Sequence, residues 1–198
     1  MNPFIDYHLA TSNNLPAYSQ KLQEYWLASN GLFVRSHRRE LEVCLQIAQT
    51  QVAGLQPIEP YFRLTVPKVK SQIITDIINT ATINQEQEIL FYLGVANNQW
   101  WFHTPLQTAS STQVASLESS LSQTYTEALV EIHSHGNLVA YPSSTDNEEE
   151  RGKFRVFAII GTLDATPTIY TRIGLYNHFF PIDPNLIFEL PSHIICLN

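Results

Sequence analysis

The chain has 198 residues, of which 44% are hydrophobic, 11% aromatic and only 15% charged. That length accommodates one domain of about 100–200 residues plus an extension. A core of this size buries roughly 70% of the unfolded surface, so neither metal nor disulfide is needed merely to fold. Eleven Lys+Arg against eighteen Asp+Glu leave a net charge of -7, which argues against the basic stripe of a duplex nucleic-acid binder.

The apolar runs fall short of the ~20 residues that span a bilayer, so no membrane association is expected. The first residues, MNPFIDYHLATSNNLP, lack the basic start and apolar centre of a secretory signal. Two cysteines, Cys44 and Cys196, make no disulfide framework. They read as small core residues in a reducing compartment, and a cytoplasmic location is expected.

No internal repeat is visible, and the chain divides into an extension over 1–65 and a main domain over 66–198. In the extension, Pro16 to Ala28 reads as a short helix with proline in its first turn. Asn30-Gly31 reads as a turn, Leu32–Val34 as a strand, and Leu41–Ala48 as either strand or helix. Tyr61–Val66 follows as a strand, which makes the extension a small α+β module. In the main domain, Val69, Ile73, Ile74, Ile77, Ile78 and Ala81 recur at helical spacing. Isoleucine is a poor helix former, so burial must hold that helix.

Glu88–Val95 is a strand, turned at Asn97-Asn98 into a second one over Trp100–His103. Val114, Leu117 and Leu121 are spaced for a modest helix within Thr108–Gln123. Ala128–His133 is a strand. Phe154–Gly161 is a continuously apolar strand suited to burial on both faces, with Thr168–Tyr176 as its partner. Mixed strands and amphipathic helices indicate an α/β or α+β domain.

The chemistry concentrates in Glu131-Ile-His-Ser-His-Gly-Asn-Leu-Val-Ala-Tyr-Pro-Ser-Ser-Thr-Asp146. His133 and His135, two apart at a strand end, leave the same face with Cα atoms roughly 6.5 Å apart. Ser143 reads as a helix N-cap, which places Asp146 in the first turn, able to point back toward the strand end. Two imidazoles and a carboxylate around an open position form a catalytic zinc set; a structural site is usually closed by four protein ligands. Ser-x-x-Asp is also an ordinary capping box. Ser134, facing away from the ligands, reads as structural. The Glu148-Glu149-Glu150 run reads as a solvated helix start, and His103, His178 and His193 are scattered. Trp100-Trp101 reads as core, and there is no phosphate-cradling loop or nucleophile elbow.

His133-Ser-His135, seven residues, Ser143, two residues, Asp146 resembles, without a gap, the His-x-His-x7-Ser-x2-Asp signature of the JAB/MPN (JAMM) metalloprotease family. FRVFAIIG and TRIGLYNHF look like the strands that follow the site in bacterial JAB proteins, the protein A type of the PRTRC plasmid system among them. NGLFVRSHRREL and PKVKSQIITDIINTA extend the likeness more weakly. The resemblance implies a cytidine-deaminase-like three-layer α/β sandwich with a mixed central sheet. Deaminase chemistry itself is not expected, since the chain has neither His-x-Glu nor Pro-Cys-x-x-Cys.

It further implies a Zn2+-dependent isopeptidase or peptidase, with His133, His135 and Asp146 as ligands. Ser143 would donate a hydrogen bond to the developing oxyanion. The family's general base is a glutamate at the start of an upstream strand, seven residues before a glycine. Glu88 precedes Gly94 by six and is the best match, Glu86 precedes it by eight, and Glu131 shares the histidine face by alternation. All three remain candidates. Gly136 stands where many relatives have proline, which should loosen the loop without removing a ligand.

Substrates of the family are ubiquitin-like proteins cleaved at the C-terminal tail, often in company with E1-like or E2-like proteins. Only seven residues separate Asp146 from Phe154, too few for the insertion that grips ubiquitin in eukaryotic deubiquitinases. Grip would then come from the first sixty residues or from a partner. Two other expectations compete: an MPN scaffold without catalysis, and a RadC-like DNA-associated protein. The intact ligand set counts against the first, and the net charge and missing proline against the second.

Overall fold

Alternate burial along Gln23–Ala28, in which Glu24, Trp26 and Ala28 are inside, is the pattern of a pleated strand. The computed structural model describes residues 4–197, and the chain forms two compact units, 1–66 and 67–198.

The first unit is a five-stranded sheet: β1 (Ile5–Leu9), β2 (Gln23–Ala28), β3 (Gly31–Arg38), β4 (Leu41–Gln49) and β5 (Tyr61–Leu64), in that spatial order. β1 runs parallel to β2, and every other pairing is antiparallel. Ala10, Trp26, Ala28, Phe33, Cys44 and Ile58 form its core. Burial pushes the Cys44 thiol up to about 12, so it is an inert core residue.

The helix expected over Pro16–Ala28 does not form. Arg35, buried on β3, donates to the carbonyls of Pro16 (3.0 Å) and Ala17 (3.4 Å) and pairs with Glu24 at 2.5 Å. Its guanidinium lies over the Tyr18 ring at 4.2 Å. Tertiary hydrogen bonds therefore claim the carbonyls that a helix would use, and the aromatic pair Tyr25-Trp26 favours the strand. Among the described residues this extension is all-β, not α+β, and the ambiguous Leu41–Ala48 is the strand β4.

The second unit continues with α1 (Ser71–Ile83), β6 (Leu90–Ala96), β7 (Gln99–His103), β8 (Gln107–Ala109), β9 (Val114–Ser116), α2 (Gln123–Glu127) and β10 (Val130–Ser134). After these come α3 (Ser144–Glu150), β11 (Lys153–Gly161), β12 (Thr168–Tyr176), β13 (His178–Pro181) and β14 (Ile195–Leu197). The main sheet has the order β13-β12-β11-β10-β6-β7, with β14 beside β12. β10 runs parallel to β11 and antiparallel to β6, so the sheet is mixed and β10 is interior. Ile74, Ile77, Ile78 and Ala81 of α1 are buried, the face anticipated from the spacing. The β6–β7 turn places Asn97 and Asn98 at φ 52° and 61°, the left-handed conformation asparagine tolerates best after glycine.

The helix expected within Thr108–Gln123 is instead the β8–β9 hairpin, closed by Ser110 N–H to Gln113 O at 2.8 Å. Leu117 and Leu121 are exposed, so the helical spacing marked no buried face. Among the described residues no helix is long and apolar enough to cross a membrane.

Candidate metal centre

β10 is buried along its whole length and delivers His133 at its end and His135 just beyond it. Strand alternation turns both rings to one side, and their Nε2 atoms stand 3.0 Å apart. His135 Nδ1 faces the carbonyl of Val139 at 3.4 Å. With Nδ1 as the donor, the Nε2 lone pair is left free for a cation, the usual way an imidazole ligand is oriented.

Asp146 comes from the first turn of α3. Ser143 is the N-cap: its Oγ accepts from Asp146 N–H at 3.1 Å, and its own N–H donates to Asp146 Oδ2 at 2.5 Å. This capping box and the metal-ligand reading are one structure, because the bonds that start the helix also aim the carboxylate. Asp146 Oδ1 reaches His133 Nε2 at 3.2 Å, and Oδ2 reaches His135 Nε2 at 3.6 Å. Burial opposes ionisation of Asp146, but the two histidines and the Ser143 N–H outweigh it and hold the carboxyl well below the usual range. For His135, burial alone would lower the pKa, and Asp146 and Glu88 reverse that and raise it.

Ligand atoms of His133, His135 and Asp146 all lie within 4.8 Å of one another, so the three could hold a metal ion. A tetrahedral zinc with bonds near 2.0–2.1 Å has ligand–ligand edges of about 3.3 Å. The observed 3.0, 3.2 and 3.6 Å bracket that value. The donor set and its spacing fit the ion the resemblance implies.

The three glutamates separate by environment. Glu88 lies two residues before β6, is 5% exposed, and brings Oε1 to 3.9 Å from His135 Nε2. Its backbone is pinned on both sides: Glu88 N–H donates to Ser110 O at 2.8 Å. The next residue, Ile89, donates its N–H to Ser134 Oγ and accepts from Ser134 N–H, each at 3.0 Å. Burial raises the Glu88 pKa, and the two histidines only partly offset this. Glu131 is also buried but is held by Lys153 Nζ at 3.0 and 3.2 Å and by Arg155 at 2.9 Å. Glu86 is exposed. A cleft of about 330 Å³, lined by Glu88, His133 and Asp146 and walled by Tyr92, Val114 and Tyr125, opens beside the group. The hairpin that supplies Val114 was not anticipated as such.

The Gly136 loop is tied down. Gly136 O accepts from Leu163 N–H at 3.0 Å, and Leu138 O accepts from Thr162 N–H at 2.9 Å. Gly136 itself has φ 55°, and a Cβ there would collide with the Gln85 carbonyl. A side chain on Gly161 would strike the Leu138 carbonyl across the same contact. Proline, fixed near φ −65°, cannot take the Gly136 conformation. Gly136→Pro is therefore expected to destabilise this chain by more than about 1 kcal/mol, read as a lower denaturation midpoint.

Glu150 departs from the expected solvated helix start. Glu148 and Glu149 are exposed, but Glu150 is 3% exposed and pairs with Arg172. It lies four residues after Asp146 and so shares its inward face. His103 pairs with Glu118 at 2.6 Å and does not join the metal group. For the Glu150–Arg172 pair, a lone arginine inside the apolar run TIYTRIGLY is the trace left in the sequence, and it does not name the partner.

This arrangement defines an α/β protein that presents a two-histidine, one-carboxylate group at the end of an interior strand, beside a cleft and a buried glutamate. The model of the prokaryotic homologs of the JAB domain matches residues 70–173, more than half of the chain, and the chain belongs to that family. No curated protein matches it.

Proposed function

We propose that the protein is a metal-dependent amide hydrolase, an isopeptidase or peptidase that acts at the C-terminal tail of a ubiquitin-like protein. The observation that carries this reading is the convergence of His133, His135 and Asp146 on one point with the buried Glu88 facing it. When bound, zinc supplies Lewis acidity toward the scissile carbonyl and toward water. His133 and His135 would hold it through Nε2, and Asp146 through its carboxylate.

Glu88 then acts as general base and acid. Its carboxylate takes the proton of the attacking water and passes it to the leaving amine. A buried carboxyl with a raised pKa suits both halves of that transfer. Ser143 Oγ accepts from Asp146 N–H, which leaves its hydroxyl proton free to donate to the developing oxyanion. E1-like or E2-like proteins in the cytoplasm are the proposed company of such an enzyme. The 1–66 unit is a second candidate for gripping the substrate.

The test is metal content together with hydrolysis. Purified protein should contain about one zinc per chain by elemental analysis. It should also cleave a ubiquitin-like protein extended beyond its tail, lose that activity to chelator and regain it with zinc. A metal-free preparation that takes up no zinc would make the protein a scaffold. Zinc uptake without cleavage of any tailed ubiquitin-like protein would remove the proposed substrate.

A further inference from the structure

Helix α3 carries Asp146 yet has only seven residues, far below the ~12–15 at which an isolated helix becomes even marginal in water. Its capping box closes within the segment itself and does not fix where the helix stands relative to the strand that bears the histidines. That tie comes from Arg172 on β12. Arg172 Nη1 donates to Asn147 Oδ1 at 2.6 Å, Nε donates to Glu150 Oε2 at 2.7 Å, and Nη2 lies 2.6 Å from the same oxygen. Asn147 and Glu150 are the first and fourth residues after Asp146, so the guanidinium grips the helix immediately beyond the ligand.

Arg172 is itself immobilised. It is 4% exposed, its guanidinium lies over the Phe179 ring at 4.3 Å, and its backbone sits opposite Phe157, which sits opposite Glu131 on β10. One row across the sheet thus runs from the arginine to the strand of the histidines. A further side-chain tie of α3, Gln113 to Glu149 at 3.1 Å, is at the exposed surface. A buried ion pair is a poor way to gain stability, because desolvation offsets most of the attraction. Glu150 Oε1 and Arg172 Nη2 are moreover left without a hydrogen-bond partner, so the fork grips α3 through Nε and Nη1. What such a pair does supply is direction: a planar fork with fixed donors sets helix position as an apolar contact cannot.

We propose that Arg172 is a positioning residue for the metal site, holding α3 through Asn147 and Glu150 so that the Asp146 carboxylate meets His133 and His135. This rests on the metal-centre reading above. Loss of an interaction that orients a ligand typically costs 10–100-fold in metal affinity.

The experiment measures zinc affinity by competition with a chromophoric chelator, the visible spectrum of the cobalt-loaded protein, and the denaturation midpoint of the metal-free chain. Arg172→Met could fail to fold with Glu150 left unpaired, so Arg172→Met/Glu150→Leu, which removes both charges, is the main variant. Arg172→Lys, which keeps the charge and loses the fork, is the second. Arg35→Met/Glu24→Leu removes a buried pair of the 1–66 unit, as the control for general destabilisation. The expected result is zinc affinity lowered 10–100-fold in the first variant, with an altered cobalt spectrum, and a smaller loss in Arg172→Lys. The Arg35 control should lose midpoint only. Zinc affinity within about twofold of wild type in folded Arg172→Met/Glu150→Leu overturns the proposal alone. A wild-type chain with no zinc affinity overturns the metal-centre reading and this proposal with it.

Discussion

Glu88→Gln is expected to lower hydrolysis by about 10²–10⁴-fold while zinc content stays near one per chain, since that is what general acid–base assistance by one positioned group commonly contributes. Glutamine keeps the size of the side chain and its hydrogen-bonding reach but accepts no proton. Glu88 Oε1 is 3.9 Å from His135 Nε2 and its carboxylate is not one of the three converging ligand groups, so the ion should remain. Two substitutions serve as controls. Glu86 is exposed, and Glu86→Gln should change neither activity nor metal. Glu131→Gln should act through stability, because it leaves the buried Arg155 and the half-buried Lys153 without their counter-charge. Activity per folded molecule should survive it. If Glu131→Gln abolished turnover and Glu88→Gln did not, the base would lie on the histidine strand. Parallel losses of zinc and activity in Glu88→Gln would make Glu88 a ligand.

His133→Ala/His135→Ala is expected to abolish zinc binding altogether and leave the far-UV signal intact. Two of three ligands disappear, while the sheet around β10 keeps its apolar partners on both sides. A chain of this size does not need the ion to fold. Zinc stoichiometry unchanged in this variant would refute the assignment. The wild-type site should also release zinc as pH falls, because protons compete for the same nitrogens. The sign follows from His135: its pKa is raised in the metal-free chain, so it takes up a proton at a higher pH than a free imidazole does. Apparent zinc affinity is thus at its full value above that raised pKa and falls as pH drops below it, with half-occupancy reached at a lower pH the tighter the site binds. Occupancy against pH, with metal measured after desalting, checks this.

How much of this was legible beforehand differs element by element. Where α3 stands relative to β10 is not short-range geometry, but strand alternation and helix capping are, and so His133, His135, Ser143 and Asp146 stood out. The same holds for the Asn97-Asn98 turn, the helix face of Ile74, Ile77, Ile78 and Ala81, and the pairing of Phe154–Gly161 with Thr168–Tyr176. Short amphipathic stretches were the weak point. Pro16–Ala28 and Thr108–Gln123 both read as helix and neither is one: Arg35 of β3 claims carbonyls of the first, and the second folds on itself as the β8–β9 hairpin.

By itself, then, the sequence determined the family, the order of the elements around the site and the three residues that could hold the ion. Only the tertiary structure distinguished the environments of the three glutamates. Glu131 satisfies the alternation rule as well as any residue, but Lys153 and Arg155, more than twenty positions away, occupy its carboxylate. Glu88 reaches the site because Ser134 and Ser110 pin the chain around it. The left-handed Gly136, the inward-facing Glu150 and its Arg172 partner were beyond local reading for the same reason. Electrostatic pairing and backbone collision act between groups that the fold makes neighbours, and no periodicity along the chain records them.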